Sequence, residues 1–511
     1  MIVGLINPRG IQEGARAIPH GLLQLHAELK RYGYTARIID FNNVSSPEGM
    51  TALSRCDAIG ISVMTTQLPH AAVIIDSVKN TIPVIWGGVH CLLDPESILR
   101  RYPGHYVVRG EGENALISIL STIHDPGEKE KLVTTRGVCF MDNDHRLVMN
   151  EPDFVYDLEQ LADISYHDLP DLENYLQSRI VYFNKSMRTL GILTSRGCSW
   201  DCSFCINSIY RKYQARHRSK TISKIRRETE KIIDEYNIEV CIPSDEDFFI
   251  NRHLLTEWTE YAGEKRFLWG ANSRYNYFKK NIITPQVLKK CSENGLFYLG
   301  MSLETGDESL RNAVINKKVT DTDVYETIQV IHDSKAVNLA VNTSFIIDFP
   351  GDNRENKIKT IKWMNRLSAE LNVLFSGPQV YRPYPGSRLY ELEKTKETGN
   401  FEFYTKNVQS AGEFGDVAFL RRLEQFFYAV MVRDYFNARF TVLGTAESPV
   451  SRLQFSRLTM IMVSVHIRIH FDCWLFFIDP FILPLLYLCT PGHVWAFIKN
   501  RLFPKQSGSR S

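Results

Sequence analysis

The sequence lacks an excess of charge of either sign. Its 60 Lys and Arg residues offset 58 Asp and Glu, leaving a formal charge of +2 over 511 residues, which excludes a nucleic-acid binder that works by neutralising phosphates. Cysteine is scarce: ten in the whole chain are too few for a disulfide scaffold. The N-terminus, MIVGLINPRG, has neither the basic start nor the long apolar run of a signal peptide, so a reducing cytoplasm is the expected compartment. No self-similar period of roughly 20 to 50 residues suggests a solenoid, and low complexity is confined to the polar tail KQSGSRS. What the chain does have is 44% apolar residues, enough for two or three packed cores.

The first 125 residues alternate short apolar runs with segments of helical periodicity. IVGLIN, TARIIDF, DAIGISVM, TIPVIWGG and HYVVRG read as buried strands, and PHGLLQLHAELKRYG reads as a helix that stops at Gly33. This pattern predicts a doubly wound, Rossmann-like α/β domain, whose ligands sit at the C-terminal ends of its strands. The loops delivered there are NPRG (7–10), SVMTTQ (62–67) and GGVHCLLDPE (87–96). Residues 126–185 form a connection with a hairpin, VCFMDNDHRLVM. From 186 to 395 a second series begins: LGILTS, VCIPSD, FLWGAN, FYLGMSLE, NTSFIIDFP and GPQVYRP alternate with helices such as SKTISKIRRETEKIIDEY. Six βα units predict a (βα)6 partial barrel of the TIM type, with its chemistry at the C-terminal strand ends.

The loop after the first of those strands is SRGCSWDCSFC, with Cys198, Cys202 and Cys205 at C-x3-C-x2-C spacing. Structural zinc takes four ligands, usually from two separated knuckles, and no second C-x2-C or H-x3-H partner is present. An iron-sulfur cluster with one iron free of protein ligands fits three thiolates better, because that iron can bind a substrate or cofactor.

These cysteines, with Phe204 just before the third, resemble the signature of the radical S-adenosylmethionine (SAM) superfamily. The resemblance extends to PSDEDFFIN, GMSLETGDESL, FIIDFPGD and YRPYPGSRLY, which look like the ends of that family's second, fourth, fifth and sixth strands. Upstream, IPHGLLQLHAELKRYGYTARIID, DAIGISVMTTQ, VIWGGVH and VVRGEGE resemble the cobalamin-binding domain of the subgroup that contains cobalamin-dependent radical methyltransferases and the anaerobic oxidative cyclase. The resemblance covers roughly residues 1–395 and implies a 4Fe-4S cluster on Cys198, Cys202 and Cys205, SAM on the fourth iron, and cobalamin. It also implies an electron donor such as flavodoxin or ferredoxin.

Further roles follow from the same resemblance. Phe204, Asp245, Asp247, Arg274 and Glu304 are expected around SAM, with both aspartates available to its ammonium and Arg274 to its carboxylate; a solvated loop is the other reading of the aspartates, and a clamp at the barrel end that of Arg274. A salt bridge is the other reading of Glu304. Ser62, Thr65, Gly87, Gly88 and His90 are expected near the corrin, and a solvent-facing loop is the other place for His90. The chain departs from the family at Asp348, where relatives usually carry glycine, and it lacks the Asp-x-His-x-x-Gly run that offers histidine to cobalt. That absence implies cobalt with no protein imidazole below it.

The expected activity is methylation of an unactivated carbon on a small-molecule or lipid-like metabolite, consuming one SAM as methyl source and another as radical source. A radical cyclase or rearrangement enzyme using the same cofactors is the alternative. A cobalamin-binding regulator is disfavoured by the intact cysteines, and RNA methylthiolation by the absence of extra cluster cysteines and of a basic appendage. Residues 396–511 read as a helical region. Its run DCWLFFIDPFILPLLYLC is short for a membrane span and is broken by Asp479, Pro480 and Pro484, so it is expected to cap the barrel or to touch a lipid surface beside Lys499, Arg501 and Lys505.

Overall fold

The runs IVGLIN and TARIID lie side by side as parallel strands, with Ile2 opposite Thr35 and Asn7 opposite Asp40. The computed structural model describes residues 1–10, 17–78, 82–183, 185–213, 216–279, 282–336, 338–382 and 386–393, with residues 401, 402, 405, 425, 428, 432–437 and 465. Its first sheet contains β1 (Ile2–Asn7), β2 (Thr35–Asp40), β3 (Ala58–Ser62), β4 (Val84–Gly87), β5 (Tyr106–Val108), β6 (Val138–Met141) and β7 (Leu147–Met149). Their order is β2-β1-β3-β4-β5-β6-β7. The first five are parallel, and the order reverses between β1 and β3, the switch point at which such sheets bind ligands. Helices α1 (His20–Arg31), α2 (Ser46–Leu53), α3 (Leu68–Asp76), α4 (Val89–Leu93), α5 (Pro95–Arg101) and α6 (Glu113–His124) cover both faces. The hairpin forms as expected and extends this sheet, β6 running antiparallel to β5.

The second sheet is built from β8 (Gln177–Ile180), β9 (Lys185–Ile192), β12 (Val240–Pro243), β13 (Leu268–Ser273), β14 (Leu296–Met301), β15 (Ala340–Thr343) and β17 (Val373–Phe375). All pairs from β9 to β17 are parallel, and β8 adds an antiparallel edge beside β9. Two short pairs complete it: β10 (Ser195–Arg196) with β11 (Arg218–Ser219), and β16 (Ile346–Ile347) with β18 (Gln379–Val380). The crossovers include α9 (Ile222–Glu235), α10 (Arg252–Lys265), α11 (Pro285–Glu293), α12 (Asp321–Ser334) and α13 (Arg354–Glu370). This is the expected six-stranded partial barrel. The sixth strand differs in position: it enters the main sheet at Val373, four residues before GPQVYRP begins. Pro378 has no N–H to give a ladder, so pairing resumes only at Gln379, against β16.

The strands alternate as a half-covered sheet must. Leu299, Met301, Val341, Thr343, Val373 and Phe375 are buried, the apolar ones in a core with Ile328, Met364 and Leu367 of the helices. That core continues into the first domain through Leu190 and Ile192 to Leu22 and Leu116. Asn437 caps the open edge of the barrel: its Oδ1 accepts from the Phe375 N–H at 2.8 Å and its Nδ2 donates to the Phe375 carbonyl at 2.7 Å. The apolar run from 472 to 489 and the basic residues after it lie outside the described residues. Among the described residues, no helix is long and apolar enough to cross a membrane.

Candidate functional site

After β9 the chain passes through β10, pinned by Ser195 opposite Ser219 and Arg196 opposite Arg218. The cysteine loop thus leaves from the C-terminal rim of the barrel. Its backbone is held from three sides. The Ser203 N–H donates to the Ile315 carbonyl at 2.8 Å, Asn316 Nδ2 donates to the Asp201 carbonyl at 2.6 Å, and Arg388 Nη2 donates to Ser203 Oγ at 2.8 Å. Cys202 is buried, while Cys198 and Cys205 are half-buried. Phe204 packs edge-on against Phe349 with ring centroids 5.4 Å apart, among Leu310, Ile315 and Leu389. It anchors the loop to the fifth strand end.

Burial pushes the Cys198 thiol up to about 12, with the Asp247 carboxylate adding to the effect, and burial also raises Cys205. Thiols in such a place ionise when positive charge arrives with them, as iron would bring. Among the described residues, no three His, Cys, Asp or Glu side chains converge on the position of one ion. Three thiols on one loop, with no fourth protein ligand beside them among the described residues, suit a cluster.

The expected SAM residues separate on inspection. Asp245 was expected beside Asp247 at a ligand, but it is fully buried and turned under the loop. It accepts from the Thr194 N–H at 2.8 Å, the Ser195 N–H at 3.1 Å and Ser195 Oγ at 2.7 Å, and also from the Thr194 hydroxyl. Its role is to staple β12 to the end of β9. Asp247 is only 1% exposed; it accepts from Tyr277 Oη at 2.6 Å, and its other oxygen has no hydrogen-bond partner among the described residues. Burial raises its carboxyl to about 6, while Tyr277 and Arg274 hold it down. Glu304 sits at φ 69° and is ion-paired to buried Lys317, its Oε1 2.7 Å from Nζ. Arg274 lies over the Trp200 ring at 4.0 Å, with Nη1 3.8 Å from Cys202 Sγ and a further bond to the Lys317 carbonyl. Lys317, Trp200 and Tyr277 were not anticipated. Trp200 stands inside the cysteine motif, which is a usable signal; the other two have none.

Asp348 also finds its reason. Its φ of 64° lies in the left-handed region that glycine enters most freely. Its carboxylate is bound to Lys357 Nζ at 2.6 Å and accepts from Gln425 Nε2 at 2.6 Å. The side chain is therefore committed to α13 and the C-terminal region.

On the other side of the cysteine loop is a cavity of about 260 Å³, open to solvent, between the two sheets. Ile61, Ser62, Gly87, Gly88 and Gly110–Glu113 line it from the first domain, and Leu193, Ser195–Gly197, Tyr210, Arg218 and Glu246 from the barrel. Gly88 has φ 92°, and a Cβ there would sit 2.6 Å from the Val63 nitrogen, so the β4 loop closes directly on the β3 loop. A Cβ at Gly87 would meet nothing within 4 Å, which leaves room for a bulky ligand. Thr65 and His90 do not line this cavity. What read as one loop contains α4, which turns His90 inward, fully buried, with Nδ1 3.1 Å from Thr65 Oγ1. Burial holds its imidazole down to about 4. The placement is neither the corrin-facing nor the solvent-facing one expected.

The chain matches two family models: the Radical SAM superfamily over residues 192–364 and the B12 binding domain over residues 11–120. It is 26% identical to the uncharacterized methyltransferase PH0819 of Pyrococcus horikoshii over 66% of this chain and 69% of that one. It is 23% identical to the anaerobic magnesium-protoporphyrin IX monomethyl ester cyclase of Cereibacter sphaeroides, over 65% of this chain but only 52% of that one. It is also 23% identical to the hopanoid C-3 methylase of Methylococcus capsulatus, over 75% and 70%. In fold it resembles the cobalamin-dependent SAM radical enzyme OxsB (TM-score 0.60, 16% identity, 79% of this chain and 55% of that one) and the radical SAM methyltransferase TsrM of Kitasatospora setae (0.58, 16%, 74% and 75%).

Proposed function

Since the chain belongs to the radical SAM superfamily and carries a B12-binding domain ahead of its barrel, we propose that it is a methyltransferase acting on an unactivated carbon. The observation that carries this reading is the cavity shared by the two domains. Its barrel wall includes Gly197, one residue before Cys198, and its other wall includes the glycine-lined ends of β3 and β4. Reagents carried on the two sides therefore meet at one place. When bound, the cluster and SAM supply a 5′-deoxyadenosyl radical, and cobalamin carries the methyl group.

The protein's part is positioning. Cys198, Cys202 and Cys205 would hold the cluster, Asp247 and Arg274 would stand beside it, and Gly87, beside Ser62, would leave room for the corrin, with Gly88 closing the loop on Val63. Asp245 keeps the strand end rigid beneath them. Ser244, Asn272, Ser302, Ser344 and Ser376 each follow or end successive barrel strands, at positions alternating with buried ones. Ser302 Oγ and Ser344 Oγ lie 2.8 Å apart, and Ser376 Oγ donates to Asn342 Oδ1 at 2.5 Å. Such a rim supports a substrate that bears hydrogen-bonding groups near its reacting carbon. The proposal includes an external reductant such as flavodoxin or ferredoxin, and a lipid contact by the apolar segment after residue 460, which salt-reversible flotation with anionic liposomes tests.

The test of the main reading is anaerobic reconstitution followed by incubation with SAM and a reductant. 5′-Deoxyadenosine is expected to depend on the three cysteines, and S-adenosylhomocysteine to depend on added hydroxocobalamin. Deoxyadenosine without cobalamin-dependent S-adenosylhomocysteine would favour the cyclase or rearrangement reading instead. A triple cysteine-to-alanine variant that still binds about four iron atoms would overturn the assignment of the cluster.

A further inference from the structure

The three cysteine sulfurs stand in unlike electrostatic surroundings. Arg274 Nη1 donates to Cys202 Sγ across 3.8 Å, and Asn207 Nδ2 approaches Cys205 Sγ at the same 3.8 Å. Cys198 Sγ has a carboxylate for a neighbour, with Asp247 Oδ2 4.0 Å away. Cys202 and Cys205 thus receive side-chain N–H donors, whereas Cys198, which the Trp200 backbone N–H also approaches, faces an anion.

Both charged groups are fixed by the loop itself. Trp200, between Cys198 and Cys202, donates its indole N–H to Tyr277 Oη at 2.6 Å, and Tyr277 Oη donates in turn to Asp247 Oδ2 at 2.6 Å. The other face of the matter is Arg274, whose guanidinium carbon lies 4.0 Å from the centroid of the same Trp200 ring. Asp247 is 1% exposed and Arg274 7%, so water screens neither charge well. Among the described residues, Asp247 Oδ1 is buried without a hydrogen-bond partner, which leaves its charge only partly neutralised.

We propose that Asp247 and Arg274 set the reduction potential of the cluster in opposite directions, Asp247 lowering it and Arg274 raising it, with Trp200 and Tyr277 fixing the carboxylate at its distance from Cys198. The inference rests on the cluster assignment above. Reduction adds one electron from the external reductant to the cluster and breaks no bond, so its free energy responds directly to nearby charge. A buried anion opposes the added electron, and an N–H donor to a ligating sulfur favours it. Asp247 would thereby keep the cluster reducing enough to pass its electron to a sulfonium.

The full chain is reconstituted anaerobically, its iron is counted, and the cluster is titrated with reductant at pH 8 without SAM while electron paramagnetic resonance follows the reduced form. Asp247→Asn is expected to raise the potential, changing the reduced-to-oxidised ratio at a fixed potential about tenfold, which is about 59 mV for one electron. Arg274→Gln should lower it by a similar factor. Tyr277→Phe keeps the carboxylate but removes its donor, so its shift should be downward, opposite to that of Asp247→Asn. Any two of the three variants that load iron fix the signs. Wild-type potential in Asp247→Asn would overturn the inference, as would an upward shift in all the loaded variants, the mark of a loop simply opened to water. Wild-type protein that holds no cluster would instead overturn the cluster assignment.

Discussion

Arg196 Nη2 lies 2.7 Å from Glu113 Oε1, joining the barrel two residues before the first cysteine to the first turn of α6 in the other domain. Arg196 also reaches Glu111 Oε2 at 3.2 Å, and Glu111 in turn binds Arg218 Nη2 at 2.9 Å. All four line the cavity between the domains. The two acids belong to the sequence VVRGEGE, so one short acidic loop grips both strands of the β10–β11 pair.

A buried charge that loses its partner costs more than the pair contributed. Glu113→Ala is therefore expected to destabilise the chain by about 2–4 kcal/mol, less than complete isolation of Arg196 would because Glu111 remains. Urea unfolding of the apo protein measures it. A loss under about 0.5 kcal/mol, typical of exposed ion pairs, would show that the pair is hydrated and does not hold the domains.

Cobalt is expected to lack a histidine from this chain. His90, the nearest candidate by sequence, is buried beneath the β4 loop against Thr65 and does not line the cavity. Electron paramagnetic resonance of the bound cob(II)alamin should show no superhyperfine coupling that disappears in His90→Phe. Nitrogen coupling lost in that variant would require α4 to unwind and would refute the placement.

The cysteine loop and both α/β series were legible because spacing and hydrophobic period are local properties. The missed partners are not local. Lys317 lies 13 residues beyond Glu304, and Tyr277 lies 77 beyond Trp200; each meets its partner only because the barrel returns successive strand ends to one rim. Asp245 and Asp247 were both expected at the SAM ammonium, two residues apart as on one face of a strand, but β12 ends at Pro243. Past a strand end the period of two no longer holds, and the aspartates bind different partners. His90 was misplaced for a related reason. Residues 87–96 were read as one loop, whereas Gly88 makes the tight approach to Val63 that starts α4.

Asp245 should matter more to stability than to ligand binding. It accepts two backbone N–H groups and two hydroxyls from Thr194 and Ser195, and all three residues are fully buried. Asp245→Ala is expected to cost about 3–5 kcal/mol and Asp245→Asn roughly half as much, since the amide oxygen still accepts. Thermal unfolding reads both. Equal losses in the two variants would indicate that the carboxylate's charge, rather than its acceptor geometry, holds the strand end.

The last expectation concerns acid. His105 Nδ1 accepts the indole N–H of buried Trp86 at 3.0 Å, and its ring stacks on Tyr102 at 4.9 Å, so the fold requires the neutral imidazole. Burial holds His105 down to about 4, against an ordinary value near 6.5. The unfolded chain therefore takes up a proton that the folded chain refuses. The stability from this group is present in full above about pH 6.5 and is lost progressively as pH falls to about 4, by about 2–3 kcal/mol in all. Replacing His105 with Gln removes that dependence while lowering stability at neutral pH, where the Trp86 bond is weakened. Urea midpoints at pH 7.5, 6.0 and 5.0 should then converge between the two proteins. If the gap between them stays constant over that range, His105 is already free to protonate in the folded state, and the Trp86 bond does not control it.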